Sequence, residues 1–217
     1  MENNKVFGKV FMWMFIGLLI TFLTGYVVSS NDNMLYNIFS GGTYFILIII
    51  ELVLVVYLSA RIHKMQVTTA RIVFILYSFV SGLTFGSIFI VFKMSSIMLI
   101  FLITAILFGI FALIGRFTKL DLTKAGTILL MMLLGIVICT FVNVFLKNDT
   151  LDLFVSYISI IVFLGFTAYD MQKIKMLSYE FDDEDKIAVI GALELYLDFI
   201  NIFIDLLRIF GKRFFVK

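Results

Sequence analysis

The 217-residue chain is 62% hydrophobic and 15% charged, whereas a soluble domain is roughly half apolar and about a quarter charged. One water-soluble core of this size could not bury so much apolar surface, so the composition excludes a soluble enzyme and a nucleic-acid-binding protein. The net charge of +2 gives no further case for nucleic acid, because the basic residues form no stripe. We therefore expect an all-α, polytopic membrane helix bundle, a single integral membrane domain over residues 1–217.

Seven segments are predicted to cross the membrane, because a spanning helix needs about 20 mostly apolar residues. Five of them contain no charged residue, the second carries Glu51 at its centre, and the seventh carries three acidic residues. The seventh is therefore either a buried central helix or a re-entrant segment. In chain order the predicted spans are 10–28, 42–60, 72–92, 94–115, 125–146, 153–169 and 187–207.

The distribution of Lys and Arg predicts the orientation, because these residues are enriched in short cytoplasmic loops. With a cytoplasmic N-terminus, only Lys93 and Lys147 fall in outside loops. The basic residues at the C-terminal end would then lie outside after seven crossings, or inside after six crossings and a re-entrant segment. We favour the first arrangement, although it runs against the charge bias.

The seventh segment carries a polar stripe. Its members follow one another at steps of four, three, four and three residues, which places them on one face of a helix. Such a stripe cannot face lipid, since an ionisable group at membrane depth costs a few kcal/mol or more. The stripe forms either an interhelical hydrogen-bond seam or a pathway for ions or protons, and three carboxylates favour the pathway. Its members, predicted together with Glu51 to line the pore or cavity, are Glu194, Asp198, Asn201, Asp205 and Arg208.

The second and sixth spans both end on the predicted cytoplasmic side, which brings Arg61 and Asp170 to similar depth. An Asp beside an Arg stays charged, whereas two carboxylates forced together share a proton. Asp170 could therefore switch between Arg61 and a carboxylate of the seventh segment as the pH changes. Arg61 could equally be a positively charged anchor at the cytoplasmic surface.

The remaining polar features predict no further site. His63 lies in a basic loop and is expected to be a surface side chain, and the single cysteine, Cys139, excludes a disulfide framework. The acidic run 180–185 is expected to be a solvated turn, with a vestibule that collects cations as the alternative. Gly82 and Gly86 have the spacing of a close helix contact. No catalytic motif is present, so we expect neither an enzyme nor a tightly bound cofactor.

Two segments near the C-terminal end resemble the signature of a known family. The chain reads YDMQKI from Tyr169 and ALELYLDFINIFIDLLR from Ala192. These closely resemble the Bax inhibitor-1 family, whose pattern is a YD-x-Q tail followed by LYLD-[FIL]-IN-[LI]-F-x-x-LLR. The resemblance implies six helices around a central seventh and a pH-sensitive calcium leak channel, in the cell membrane for a prokaryotic member.

The resemblance also implies roles for individual residues. By motif, Asp170 and Asp198 correspond to the pH-sensing dyad and would be the transient calcium ligands, with Arg61 as the dyad's partner. Glu194 and Asp205 are acids at positions that the family usually leaves uncharged. The implied partners are the lipid bilayer, calcium as the permeant ion, and protons. The alternatives are a proton-coupled cation transporter and a non-conducting regulator of a membrane protease or cell-death partner.

Overall fold

A computed structural model describes residues 2–61, 64–181 and 183–213, and over these residues the chain forms eight α-helices. All seven predicted spans fall within helices to within one residue at each end, so the protein is an all-α, polytopic membrane helix bundle. The short α2 was not predicted. The helices are α1 (Glu2–Ser29), α2 (Asp32–Phe39), α3 (Thr43–Arg61), α4 (Val67–Val91), α5 (Met94–Phe117), α6 (Thr123–Leu146), α7 (Asp149–Glu180) and α8 (Glu184–Phe210).

Six helices, α1 and α4 to α8, are each long and apolar enough to cross a membrane. The second predicted span differs, because α2 and α3 meet that length only together and are bent by 75°. The bend follows from the backbone between them, where Ser40 is extended and Gly41 has a φ of 77°, a left-handed conformation that glycine adopts readily. The described helices thus provide six spans, or seven if the bent pair counts as one.

The seventh predicted span is one unbroken helix, α8, of 27 residues, which is about 40 Å long. Its most apolar stretch is 72% buried, against 44% or less for the other five spanning helices. Arg71, near the start of α4, lies 2.8 Å from Asp185 near the start of α8. Phe92, just after α4, pairs in an isolated antiparallel bridge with Arg213, just after α8. The segment is therefore a buried, unbroken helix parallel to α4 and long enough for a full crossing, and whether it crosses the membrane stays a prediction.

Contacts divide the chain into two compact units, the first of which comprises Met1–Met94, Ser178–Tyr196 and Arg213–Lys217. In this unit α1 packs on α4 through glycines. A Cβ atom on Gly82 would lie 2.5 Å from the Cβ of Thr24, and one on Gly86 would lie 2.7 Å from Cγ1 of Val28. The close helix contact predicted from the glycine spacing is confirmed.

The second unit comprises Ser95–Leu177 and Leu197–Lys212. Here the ring of Phe199 on α8 lies edge-on to Phe101 and Phe108 of α5, with centroids 5.2 and 5.6 Å apart. Helix α6 exposes apolar side chains along most of its length, and Cys139 is among its exposed residues. An apolar surface of this kind is suited to lipid.

Candidate functional site

The polar stripe of α8 faces the protein interior. Asp198 and Asp205 are only 4% and 6% exposed, and Glu194, Asn201 and Arg208 are partly buried. None of the five stripe residues is exposed, as the cost of placing ionisable groups against lipid requires. The prediction that this helix is buried and keeps its polar side away from lipid is therefore confirmed, and its apolar side chains, such as Leu195 and Ile202 at 0% exposure, are buried as well.

Asp170 and Asp198, the predicted dyad, are both buried within the second unit. Asp170 lies on α7 and is 7% exposed, and Asp198 lies on α8. Two carboxylates are rarely buried in one compact unit without compensation, because desolvation of each charge is costly. Their action as a pair stays a prediction.

Arg61, the predicted partner of the dyad, is the last residue of α3, and its side chain is exposed. Its pairing with Asp170 stays a prediction, as does its alternative role as a membrane anchor. The predicted surface position of His63 lies outside the described residues.

Glu51 lies at the middle of α3 and is held by hydroxyl groups of α4. Ser81 donates a hydrogen bond to one carboxylate oxygen, and Thr84 donates to the other at 3.2 Å. The carboxylate therefore has two neutral donors on the neighbouring helix within the first unit. Whether it also lines a cavity stays a prediction.

Arg208 compensates the charge at the last turn of the stripe. Its Nη1 donates to Ser156 Oγ at 3.0 Å and to Asp205 Oδ1 at 3.3 Å, and its Nε lies 3.5 Å from Asp152 Oδ2. These contacts join the end of α8 to the start of α7. Asn201 donates to the carbonyl oxygen of Leu197 at 2.7 Å, so its amide bonds within its own helix.

The structure also contains an ion-pair cluster that the sequence analysis missed. Lys9 donates to Glu184 at 2.9 Å and to Asp185 at 2.8 Å, and Arg71 pairs with Asp185 and lies 5.3 Å from the ring centroid of Trp13. Two members of the acidic run are thus engaged with α1 and α4, although their side chains remain 33% and 46% exposed. The cluster could have been predicted from the topology, because α1, α4 and α8 all begin on the predicted cytoplasmic side.

The described residues contain no group of three or more His, Cys, Asp or Glu side chains that could hold a metal ion. The assignment of Asp170 and Asp198 as transient calcium ligands stays a prediction.

Comparison with known proteins shows what the chain is similar to. It matches the family described as "Inhibitor of apoptosis-promoting Bax1" over residues 3–214. It is 44% identical over 212 residues to the inner membrane protein YbhL of Escherichia coli K12, covering 95% of this chain and 91% of that protein. An uncharacterized protein of Borreliella burgdorferi is 40% identical over 216 residues, with 97% and 93% covered.

A third relative, an uncharacterized membrane protein of Streptococcus pyogenes serotype M1, is 31% identical over 215 residues, covering 97% of this chain and 93% of that protein. The family match and these relatives extend over nearly the whole chain, including the six helices that are long enough to span a bilayer. The chain therefore belongs to the Bax inhibitor-1 family of integral membrane proteins.

Proposed function

We propose that the protein is a pH-sensitive calcium leak channel, gated by the carboxylates of Asp170 and Asp198 on the sixth and seventh spans. The observation that carries the proposal is the burial of both carboxylates in one compact unit, on a protein whose most buried spanning helix has an acidic stripe. Buried ionisable groups in membrane helices commonly mark ion or proton pathways.

The chemistry of the stripe suits a weakly held hard cation. Calcium prefers oxygen ligands and tolerates irregular geometry better than magnesium does. Conduction also requires attraction weak enough for the ion to leave. Because Arg208 offsets Asp205 at one end of the stripe, the stripe attracts cations without forming a closed cage.

The proposed gate is a change of proton sharing between the two aspartates. Two carboxylates held close together share a proton and separate, or take other partners, when both are charged. Arg61 would be the competing partner of a charged Asp170.

The proposal places the protein in the bacterial cell membrane with its N-terminus in the cytoplasm. Calcium and protons would be its ions, with the lipid bilayer as its surroundings and no tightly bound cofactor or enzymatic activity. The inner-membrane location of YbhL and the predicted charge bias of the loops support this placement.

Purified protein in calcium-loaded liposomes, followed with a calcium-sensitive dye outside, tests the proposal directly. We expect protein-dependent efflux down the calcium gradient that changes between mildly acidic and neutral pH. Efflux equal to that of empty liposomes at every pH would refute the channel. Uphill calcium movement driven by an imposed pH gradient would instead indicate a proton-coupled transporter.

A further inference from the structure

A basic surface lies at one end of the second unit, where the loop between α5 and α6 meets α7. Residues 116–124 connect two predicted spans and residues 172–177 follow a third, so both segments lie near the level of the lipid headgroups. Together they contain five basic residues and one acidic residue, Asp121. An excess of positive charge at this depth attracts anionic headgroups. The basic residues are Arg116, Lys119, Lys124, Lys173 and Lys175.

The loop is held in a fixed position on α7. Gln172, which is 7% exposed, donates through Nε2 to the carbonyl oxygen of Leu120 at 2.7 Å and accepts through Oε1 from the N–H of Leu122 at 2.8 Å. Lys175 Nζ donates to the carbonyl oxygen of Arg116 at 3.2 Å. Losing either bond of the buried amide would leave a polar group unsatisfied. The loop backbone is therefore preorganised, which lowers the entropic cost of binding through its outward side chains.

Two large apolar side chains of this loop are turned away from the protein. Phe117 is 70% exposed and Leu120 is 74% exposed, and both lie between the predicted spans rather than within them. The guanidinium carbon of Arg116 lies 5.6 Å from the ring centroid of Phe117, so a positive charge and an apolar ring are presented side by side. Apolar side chains flanked by Lys and Arg are typical of segments that insert into the membrane interface.

Asp121, the acidic residue of this surface, is engaged at the start of α6. Its Oδ1 accepts from the N–H of Thr123 at 2.9 Å. A carboxylate at the N-terminal end of a helix is compensated by the helix dipole. Asp121 therefore stabilises the turn, and the surface keeps an excess of positive charge.

We propose that this basic surface docks on the headgroups of anionic phospholipids, with Phe117 and Leu120 inserted at the boundary between headgroups and acyl chains. Lys119 and Lys124, which are both exposed, bind the phosphates. A zwitterionic headgroup carries no net charge and gains only the apolar contacts, so the surface distinguishes lipids by their charge. The depth favours lipid over a soluble partner, because so short a loop cannot carry its apolar side chains far from the bilayer.

Fluorescence quenching by brominated lipids tests the proposal, because the chain contains a single tryptophan, Trp13. In a Trp13→Phe background, Leu120→Trp places the only tryptophan in the loop. Phe145→Trp, at the other end of α6 and 73% exposed in the wild type, is the matched control. Each protein is reconstituted in vesicles of phosphatidylcholine and phosphatidylglycerol, one of which is brominated near the headgroup end of its acyl chains.

We expect brominated phosphatidylglycerol to quench Leu120→Trp more strongly than brominated phosphatidylcholine does, with a preference of about threefold or more for the anionic lipid. Added salt should lower this preference. Lys119→Gln combined with Lys124→Gln should bring the preference close to one, whereas Lys93→Gln, in the loop between α4 and α5, should leave it unchanged. Phe145→Trp should be quenched equally by the two lipids.

Equal quenching by the two lipids at residue 120 would overturn the proposal. A water-exposed emission spectrum that neither lipid quenches would also overturn it, and would show a loop that is available to a soluble partner. If the double lysine variant does not fold, Lys119→Gln alone and the salt series measure the same dependence on charge. The measurement involves no calcium flux, so its outcome is independent of the proposed channel.

Discussion

Individual carboxylates in this protein are compensated in different ways. Glu51 accepts hydrogen bonds from two hydroxyl groups, whereas Asp205 is paired with the guanidinium of Arg208. A hydroxyl stabilises a carboxylate without neutralising it, while a cation also cancels its field. The stripe on α8 therefore includes a buried acid, Asp205, whose counter-charge lies one turn further along the same helix.

The first prediction concerns Asp170 and Asp198. If they act as one proton-sharing unit, Asp170→Asn and Asp198→Asn should each abolish most of the pH dependence of calcium efflux, and the double variant should add little. Liposome efflux across pH measures the effect. Additive changes in the two single variants would contradict the dyad, and Asp121→Asn, outside the spans, should leave the pH profile unchanged.

The second prediction concerns Asp121, in the loop between α5 and α6. Hydrogen bonds from the side chain and then the backbone of Thr123 hold the pKa of Asp121 below its ordinary value. A carboxyl with a lowered folded-state pKa stabilises the fold above its unfolded-state pKa, and this contribution is lost as the pH falls through the folded-state pKa.

Asp121→Ala should therefore lower the unfolding temperature slightly at neutral pH, and its difference from wild type should disappear in acid. Thermal unfolding in detergent at several pH values provides the measurement. A difference that grows as the pH falls would contradict a lowered pKa for Asp121.

At the scale of elements, glycine determines where helices approach most closely. Gly115 allows α5 to touch the backbone of α7 at Ala168, whereas Gly135 on α6 has no heavy atom within 4 Å of the position of a Cβ. The same residue type thus has opposite consequences in two spans. Packing requires Gly115, whereas Gly135 only destabilises its helix, because glycine loses more backbone entropy than alanine when a helix forms.

The third prediction uses this pair of glycines. Gly115→Ala should destabilise the protein by about 1–3 kcal/mol or more, because a rigid backbone carbonyl cannot move aside as a flexible side chain could. Gly135→Ala should be neutral or stabilise by up to about 1 kcal/mol. Reversible unfolding in mixed detergents compares the two, and equal destabilisation would contradict the packing of α5 on α7.

The elements also show what sequence reasoning can reach. The spans were predictable because membrane thickness imposes their length, and the burial of α8 was predictable because its polar residues recur with the period of a helix and cannot face lipid. Helix α2 is only eight residues long, too short for a period to stand out, although its N-cap Asn31, whose side chain accepts from Met34 N, was a visible signal.

The site was less predictable than the spans, because side-chain partners depend on which helices become neighbours. Gly115 and Ala168 lie far apart in the sequence, as do Gln172 and the loop residue Leu120, and no local pattern connects them. To predict the ion-pair cluster around Lys9 from the sequence, one would have to know both the direction of each helix and which helix ends lie side by side. Composition and periodicity determine faces and lengths, whereas tertiary contacts decide which residues meet.

The relative directions of α1, α4 and α8 follow from contacts at the two ends of the first unit. Lys9 and Arg71 bring the starts of α1 and α4 to the same acidic residue, Asp185 at the start of α8. The chain must therefore return between α1 and α4, and the bent pair α2 and α3 is long enough to do so as one span. The bridge between Phe92 and Arg213 places the far ends of α4 and α8 together.

The fourth prediction follows from this arrangement. With α1 starting in the cytoplasm, α8 must end outside, although Arg208, Lys212 and Arg213 make that end basic. The preference of basic residues for the cytoplasmic side is weakened at this end of α8, because Arg208 pairs with two aspartates and Arg213 lies 5.8 Å from the ring centroid of Phe92.

In sealed, oriented vesicles with Cys139→Ser as background, a membrane-impermeant thiol reagent should therefore label Lys212→Cys only from the outside. Lys119→Cys, in the loop between α5 and α6, is the matched control and should react only from the cytoplasmic side. In the seven-span arrangement three helices, α6, α7 and α8, separate the two positions. The two cysteines must therefore lie on opposite sides of the membrane. Labelling of both from one side would contradict seven crossings, whereas exchange of the two sides would retain the fold and reverse only its orientation.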